Sequence, residues 1–315
     1  RINIITQGIK SCFSTGNWGI PKSNYIRCGV SQILSRLSYN STQSHLRRIL
    51  IPIGKEGKNS KIRQIHCSQF GFICGNETPE GSSAGIVKSF SLFATVSNRV
   101  DPCWVRNILE DHFNDIYQNP TIVSSSSAFN VFLNGIWIGT SDQPNNFLQL
   151  FYKYRKDQII PSTVSVSVSG MECAIHIFCD DGRILRPLWN LKEFTKSDIE
   201  NTIIKSDITW EDLCSKGVIQ YVDSHELENA YIAMYLDECT PQHTYCEIHP
   251  SFIFGVCVNV IPYVDHIQAP RITYQSAMSK QAIGLFCGNA QYRADTVCHV
   301  LCYPEKPVVQ THLSE

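Results

Sequence analysis

Apolar and polar positions along the chain fall into short runs of changing period rather than one repeating pattern. Val131-Phe-Leu-Asn-Gly-Ile-Trp-Ile138 sets two apolar stretches on either side of Asn134-Gly135, a two-residue turn signal, and predicts a β hairpin. Asp142-Gln-Pro-Asn then opens a helix, because Phe147, Leu148, Leu150, Phe151 and Tyr154 recur at helical spacing. Val164, Val166 and Val168 alternate with serines, as in a half-buried strand, and Asp180-Asp181-Gly182 predicts a second hairpin. Thr209-Trp-Glu-Asp-Leu caps a short helix. Beyond about His243, Phe252–Tyr263 reads as an apolar strand, followed by a helix from about Thr273 to Phe286. No internal repeat or long linker interrupts these elements, and the only biased run is Ser124–Ser127. Three regions result: 1–100, 101–240 and 241–315.

With 315 residues, 43% of them hydrophobic, the chain has enough apolar material for two or three domains. No apolar run approaches the roughly 18 residues of a membrane helix. The start, Arg-Ile-Asn-Ile-Ile, has neither an initiator Met nor a signal-peptide layout, so a piece of a longer or processed chain is expected. A formal net charge of −1 gives no bulk attraction to nucleic acid, but charge is unevenly spread. Between Ser44 and His66 stand Arg47, Arg48, Lys55, Lys58, Lys61 and Arg63 against Glu56 alone. From Asp198 to Glu238 ten acids face Lys205 and Lys216. The first stretch suits a polyanion; the second reads as a solvated face or a docking surface for other subunits. Fourteen cysteines lie mostly inside apolar runs and form no Cys-x-x-Cys pair. They read as buried reduced thiols in a reducing, intracellular compartment, with no zinc site.

The basic loop from Gly54 to His66 can carry ammonium groups to phosphates, although an exposed basic loop is common on any soluble protein. Glu77-Thr-Pro-Glu80-Gly81 offers two carboxylates, but Pro79 and Gly81 make it a turn before they make it an acid–base site. Several strings recur in a set order: Ser44-His-Leu-Arg-Arg48, Arg63-Gln-Ile-His66, Glu77-Thr-Pro-Glu-Gly81, Gly85-Ile-Val-Lys88, Val131–Gly139, Asp181-Gly-Arg-Ile-Leu-Arg-Pro-Leu188 and Tyr221-Val-Asp223. They continue through Cys246-Glu-Ile-His-Pro250, Ile261-Pro-Tyr-Val-Asp-His266, Gln268-Ala-Pro-Arg271, Thr273–Ala282 and Tyr303-Pro-Glu-Lys-Pro307. In this order the strings resemble the central part of the second-largest subunit of multisubunit DNA-directed RNA polymerases, of eukaryotic, archaeal or large-DNA-virus type. Departures from the usual pattern at Gly75-Asn76, Ser83-Ala84, Ile272 and Ser279 are compatible with a viral enzyme.

The resemblance implies a mixed α+β, multidomain fold: a fork region over 1–100, a mixed α/β external domain over 101–240 and the start of a β-rich hybrid-binding domain over 241–315. It also implies template-directed RNA synthesis from ribonucleoside triphosphates, with a DNA template and an RNA–DNA hybrid, alongside the largest and the smaller polymerase subunits and no membrane. Such a chain is not active alone. Mg2+ is expected in the assembled enzyme, its ligands mainly on the largest subunit. By resemblance, Arg271 faces the nucleotide phosphates on a loop whose start Pro270 fixes. Lys280 and Gln281, on the helix that follows, line the hybrid, and Gln32 and Gln268 belong to the same nucleic-acid-binding set. Arg47, Arg48 and Arg63 would line the fork, and Lys55, Lys58 and Lys61 a phosphate-steering loop. The expected location is the nucleus or, for a virus, the virus factory in the host cytoplasm. The alternative is a truncated, non-catalytic subunit that serves as a scaffold or nucleic-acid-binding protein.

Overall fold

The computed structural model describes residues 3–19, 27–53, 60–116, 128–204, 208–281, 283, 292, 294 and 300–314. The chain divides into two compact units, Arg1–Arg48 with Ala277–Val308, and Ile49–Ser276 with Val309–Glu315. The architecture is mixed α+β.

Two five-stranded sheets organise the larger unit among the described residues. In the first, the strands run in the order Asn114–Asp115, Ile136–Ser141, Phe129–Leu133, Ala174–Phe178, Ser165–Ser169. The hairpin expected at Asn134-Gly135 is present, with both residues left-handed (φ 49° and 81°), the conformation this turn requires. The Phe129–Leu133 strand then pairs in parallel with Ala174–Phe178. Alternation puts Val131, Leu133, Val166, Ile175 and Ile177 on one face. There the helices Pro102–Leu109 and Pro144–Lys156 cover them with Val105, Leu109, Phe147 and Phe151. Each fully buried side chain of this size contributes about 1.5–3 kcal/mol.

The chain bends at Asp181-Gly182, with Gly182 left-handed (φ 83°), but it does not make a hairpin. Ala174–Phe178 already has both hydrogen-bonding edges taken, by Ser165–Ser169 and Phe129–Leu133, so the next strand has no edge to join. Ile184–Asn190 instead enters the second sheet, paired with Ile219–Val222, Tyr245–Cys246 and Thr95–Val96. Ser97 fixes the crossing: its Oγ donates to Asp180 O (3.0 Å) and accepts from Arg183 N (3.0 Å). Thr209 caps Trp210–Ser215 through a capping box with Asp212, as expected.

Phe252–Tyr263 is not a strand. Pro250–Ile253 and Val264–His266 are 3-10 turns and Val256–Asn259 is a helical turn. Cys257, Val258 and Ile261 bury themselves at helical spacing, while the Asn259 amide donates to Ser251 O (3.0 Å) and Phe254 O (3.2 Å). The last helix runs Ala269–Met278, earlier at both ends than the sequence suggested, because Pro270 is well suited to a first helical turn. The acidic stretch is not uniformly a solvated face: Asp223 and Glu226 are buried and paired with Arg183 and Arg155.

In the smaller unit, Ile4–Thr15 is a helix without buried residues, ended by left-handed Gly16, and Tyr39–Leu46 is a second helix. The described cysteines are free thiols, but not uniformly buried. Cys74, Cys179, Cys246 and Cys257 are buried, whereas Cys28, Cys67, Cys103, Cys173 and Cys302 are exposed. No helix among the described residues is long and apolar enough to cross a membrane.

Candidate functional site

Arg271 occupies the first turn of Ala269–Met278 and not a loop. The Gln268 carbonyl starts the helix by accepting from Arg271 N (2.9 Å) and Ile272 N (3.1 Å). One face of the helix docks: Ile272 packs with Cys74, Val258 and Ile261, and Thr273 Oγ1 donates to Asn76 O (2.8 Å). The other face leaves Gln268, Arg271 and Tyr274 exposed, with the Arg271 guanidinium 5.6 Å from the Tyr274 ring centroid. A cation in the first turn adds to the positive end of the helix dipole, which costs about 0.3–1 kcal/mol unless an anion comes there. Position and exposure together therefore favour an anionic ligand.

The loop on which that helix rests is pinned from within. Thr78 Oγ1 accepts from Gly85 N (2.8 Å) and donates to Val87 O (3.1 Å). Arg63 Nη1 donates to Ser82 O (2.6 Å) and Ala84 O (2.8 Å), so Arg63 holds the Gly81–Ala84 turn. A Cβ on Gly85 (φ 73°) would meet Arg63 O at 2.5 Å, which accounts for the glycine. Glu77 is buried beside Gly255, whose added Cβ would lie 2.7 Å from its Oε2, and Glu80 is exposed on the turn. This is a structural turn, not a pair of catalytic carboxylates.

Within the smaller unit, the Tyr39–Leu46 helix gathers several predicted residues. Ser38 caps it by accepting from Ser41 N (3.1 Å). His45 Nδ1 accepts from Ser35 N (3.0 Å), so its Nε2 carries the proton and donates to Gln32 Oε1 (3.1 Å). Burial, and then the charge of Arg48, lowers the His45 pKa. Gln32 Nε2 donates to Gly29 O (3.0 Å), so both ends of this exposed amide are engaged locally. Asn40 Nδ2 donates to Ser279 Oγ (3.2 Å) and Ser38 Oγ to Lys280 O (3.5 Å). Lys280 and Gln281 lie in the turn after Met278 rather than on the helix, Lys280 half-buried and Gln281 exposed. Arg47 closes Tyr39–Leu46 and Arg48 begins the strand that follows. Lys61 is exposed in the 3-10 turn Lys61–Arg63, and Lys55 and Lys58 lie outside the described residues.

A buried polar network escaped the sequence reading. Arg155 forms a two-pronged ion pair with Glu226 (3.2 and 3.1 Å) and also donates to Val164 O (2.7 Å). Burial works against the Arg155 charge, but Glu226 more than offsets it and the pKa rises. Tyr245 donates to Glu226 Oε1 (3.0 Å), and Lys192 Nζ donates to the hydroxyls of Tyr152 (2.9 Å) and Tyr245 (3.1 Å). Arg186 pairs with Glu247 (2.7 Å) against the Phe72 ring. The surplus of acids around 223–247 was the only sequence signal for these pairs. Among the described residues, no cluster of three His, Cys, Asp or Glu side chains could hold a metal ion.

Three family models match in order. Residues 32–96 match RNA polymerase Rpb2, domain 3; residues 131–192 match domain 4; residues 257–315 match domain 6. Every predicted site residue falls within the first or the third of these segments. DNA-directed RNA polymerase II subunit 2 of Arabidopsis thaliana is 38% identical over 337 residues, covering 100% of this chain and 28% of that protein. The subunit RPB2 of Eremothecium gossypii is 37% identical, covering 100% and 30%. DNA-directed RNA polymerase subunit Rpo2 of Sulfolobus acidocaldarius is 37% identical, covering 99% and 29%. The chain thus spans about three tenths of the length of the curated relatives it matches.

Proposed function

Because the chain belongs to the family of second subunits of DNA-directed RNA polymerases, we propose that it works as part of such a polymerase. In that setting it contributes nucleotide- and hybrid-contacting residues to template-directed RNA synthesis from ribonucleoside triphosphates. The observation that carries this reading is the ordered match of three Rpb2 domains, with all the predicted site residues inside two of them. Its partners are the largest subunit, the smaller subunits, template DNA and the RNA–DNA hybrid. The 1–100, 101–240 and 241–315 regions serve as fork, external domain and part of the hybrid-binding domain. The enzyme acts inside the cell, in the nucleus or, for a large DNA virus, in the cytoplasmic virus factory.

Arg271 is the residue that meets the nucleotide. Its planar fork of donors matches phosphate oxygens, and its place at the positive end of a helix adds to the field that favours them. Held there, the guanidinium stabilises charge that builds as pyrophosphate departs. Gln268, exposed at the start of the same helix, is a neutral contact to sugar or phosphate oxygens. In the smaller unit, Gln32, Lys280 and Gln281 supply sequence-independent contacts to the hybrid, and Arg47 and Arg48 line the fork. Lys55, Lys58, Lys61 and Arg63 make the fork basic, Arg63 chiefly by shaping its turn. Bound Mg2+ would stabilise charge on the reacting phosphates, and in this reading its ligands come mainly from the largest subunit.

Arg271→Ala in the assembled polymerase tests the assignment. The expected loss in kcat/KM for nucleotide addition is about 10²–10³-fold, the range for removing one preorganised donor to a developing anion. Subunit assembly should be unchanged, and Arg271→Lys should recover only part of the rate. Elongation kinetics equal to those of the unaltered enzyme would remove Arg271 from this role.

A further inference from the structure

Arg271 takes part in no salt bridge among the described residues; its guanidinium lies over the exposed Tyr274 ring of its own helix. Its direction therefore follows from how the helix Ala269–Met278 is turned about its axis. Ile272 and Ser276 are buried on the docked side, and between them stands the half-buried Thr273. Thr273 Oγ1 has two acceptors in reach, Asn76 O at 2.8 Å and Ala269 O of its own helix at 3.2 Å. The shorter bond leaves the helix. Its acceptor is held on both sides. Cys74 N donates to Ser89 O (2.9 Å), and Cys74 shares an apolar cluster with Ile272. A Cβ added to Gly255 would lie 2.7 Å from Glu77 Oε2 and 3.3 Å from Cys74 Cβ, so the chain on either side of Asn76 is closely packed. Thr78 and Arg63 then pin the turn that follows.

We propose that Thr273 is a positioning residue for nucleotide addition: its hydroxyl, bonded to the Asn76 carbonyl, sets the rotation of the helix and with it the direction of Arg271. This rests on the role of Arg271 proposed above. Arg271 stands two residues before Thr273, about 200° away around the axis. A roll of the helix that lengthens the Thr273 bond therefore swings the guanidinium on the far side. The packing of Ile272 does not prevent such a roll, because apolar contact has no preferred direction, whereas a hydrogen bond does. Misplacement of a reacting or stabilising group by about 1 Å can cost about 10²-fold in rate. One hydroxyl thus ties the nucleotide-facing arginine to the turn that Arg63 shapes in the fork.

The test is single-turnover nucleotide addition by the assembled polymerase carrying Thr273→Val or Thr273→Ser, each alone and combined with Arg271→Ala. Valine keeps the branched shape and removes the donor; serine keeps the donor and removes the methyl. Thr273→Val is expected to lower the maximal rate about 10–10²-fold, with little change in the nucleotide concentration that gives half of it. Thr273→Ser should keep most of the rate. In the Arg271→Ala background, Thr273→Val should add no further loss, since no guanidinium is left to aim. Equal losses in the valine and serine forms overturn the proposal, because packing would then be the cause. A valine loss that multiplies onto that of Arg271→Ala overturns it too, because Thr273 would then act elsewhere. A normal rate in Thr273→Val beside a slow Arg271→Ala overturns the positioning role and leaves the Arg271 assignment standing; a normal rate in Arg271→Ala overturns both. If the valine form does not assemble, Thr273→Ala replaces it, removing the same donor without placing a methyl against Asn76 O, and the same outcomes decide.

Discussion

The ammonium of Lys192 lies 4.2 Å from the ring centroid of Tyr152 and 4.6 Å from that of Tyr245, with both hydroxyls as its acceptors. Lys192 is exposed as a residue, while its nitrogen stands over the two rings. Burial lowers its pKa from 10.5 to about 8, against the opposing pull of Glu226. While both folded and unfolded chains carry the proton, that depression is a cost to the fold. From about pH 8 upward the folded chain sheds the proton first, so the cost fades until the unfolded chain follows near 10.5. Urea unfolding at pH 7.5 and 9.5 should show the unaltered chain gaining stability relative to Lys192→Met at the higher pH. An unchanged difference would mean that the amine is not perturbed. Gly71 makes a steric case at the same scale. Its φ is 79°, and an added Cβ would sit 1.9 Å from Nη1 of Arg186, which is itself held by Glu247. Gly71→Ala should destabilise the fold by about 2–5 kcal/mol, combining backbone strain with a disturbed buried ion pair, as read from the denaturation midpoint.

Helix Pro144–Lys156 is fastened to the short helix Ser224–Leu227 through Arg155 and Glu226, whose side chains are 2% and 1% exposed. Removing one member of so buried a pair leaves the other charge uncompensated. Glu226→Ala should therefore cost about 3–5 kcal/mol, and Glu226→Gln less, since the amide can still accept from Arg155 and Tyr245. Thermal unfolding of both variants checks the order; equal losses would show that packing, not charge, is what Glu226 supplies. Elements differ in how openly the sequence declares them. The Asn134-Gly135 hairpin and the Thr209 cap are decided by residues adjacent in the chain, and both are legible. At Asp180-Asp181-Gly182 the turn is legible but its partners are not, because a turn signal says nothing about strand edges occupied elsewhere. Phe252–Tyr263 misleads for a related reason: a short apolar run has no period of its own, and side-chain bonds from Asn259 select turns over a strand.

The predicted site residues are shared between the two compact units, Arg271 and Arg63 in the larger, and Gln32, Arg47, Arg48 and Lys280 in the smaller. Their roles should separate in the assembled polymerase. Arg271→Ala should reduce the rate of nucleotide addition, whereas Lys280→Ala should shorten the lifetime of the paused complex and flatten its salt dependence, as loss of one phosphate contact does. Complex lifetimes measured across salt concentrations decide this, and a pure rate defect in Lys280→Ala would contradict the proposed contact with the hybrid.

The sequence by itself determined the family, through the order of its motifs, and the elements whose signals are local: one hairpin, the Pro144–Lys156 helix and the capped Trp210–Ser215 helix. Those depend on backbone preferences and neighbours a few positions away, which a linear reading can weigh. Tertiary structure alone decided which sheet each strand joins, that Arg271 stands on a helix, and that Arg155 meets Glu226 across 71 positions and Arg186 meets Glu247 across 61. Such pairings are fixed by free strand edges and by the need of buried charges for partners, and neither condition exists until the chain has folded.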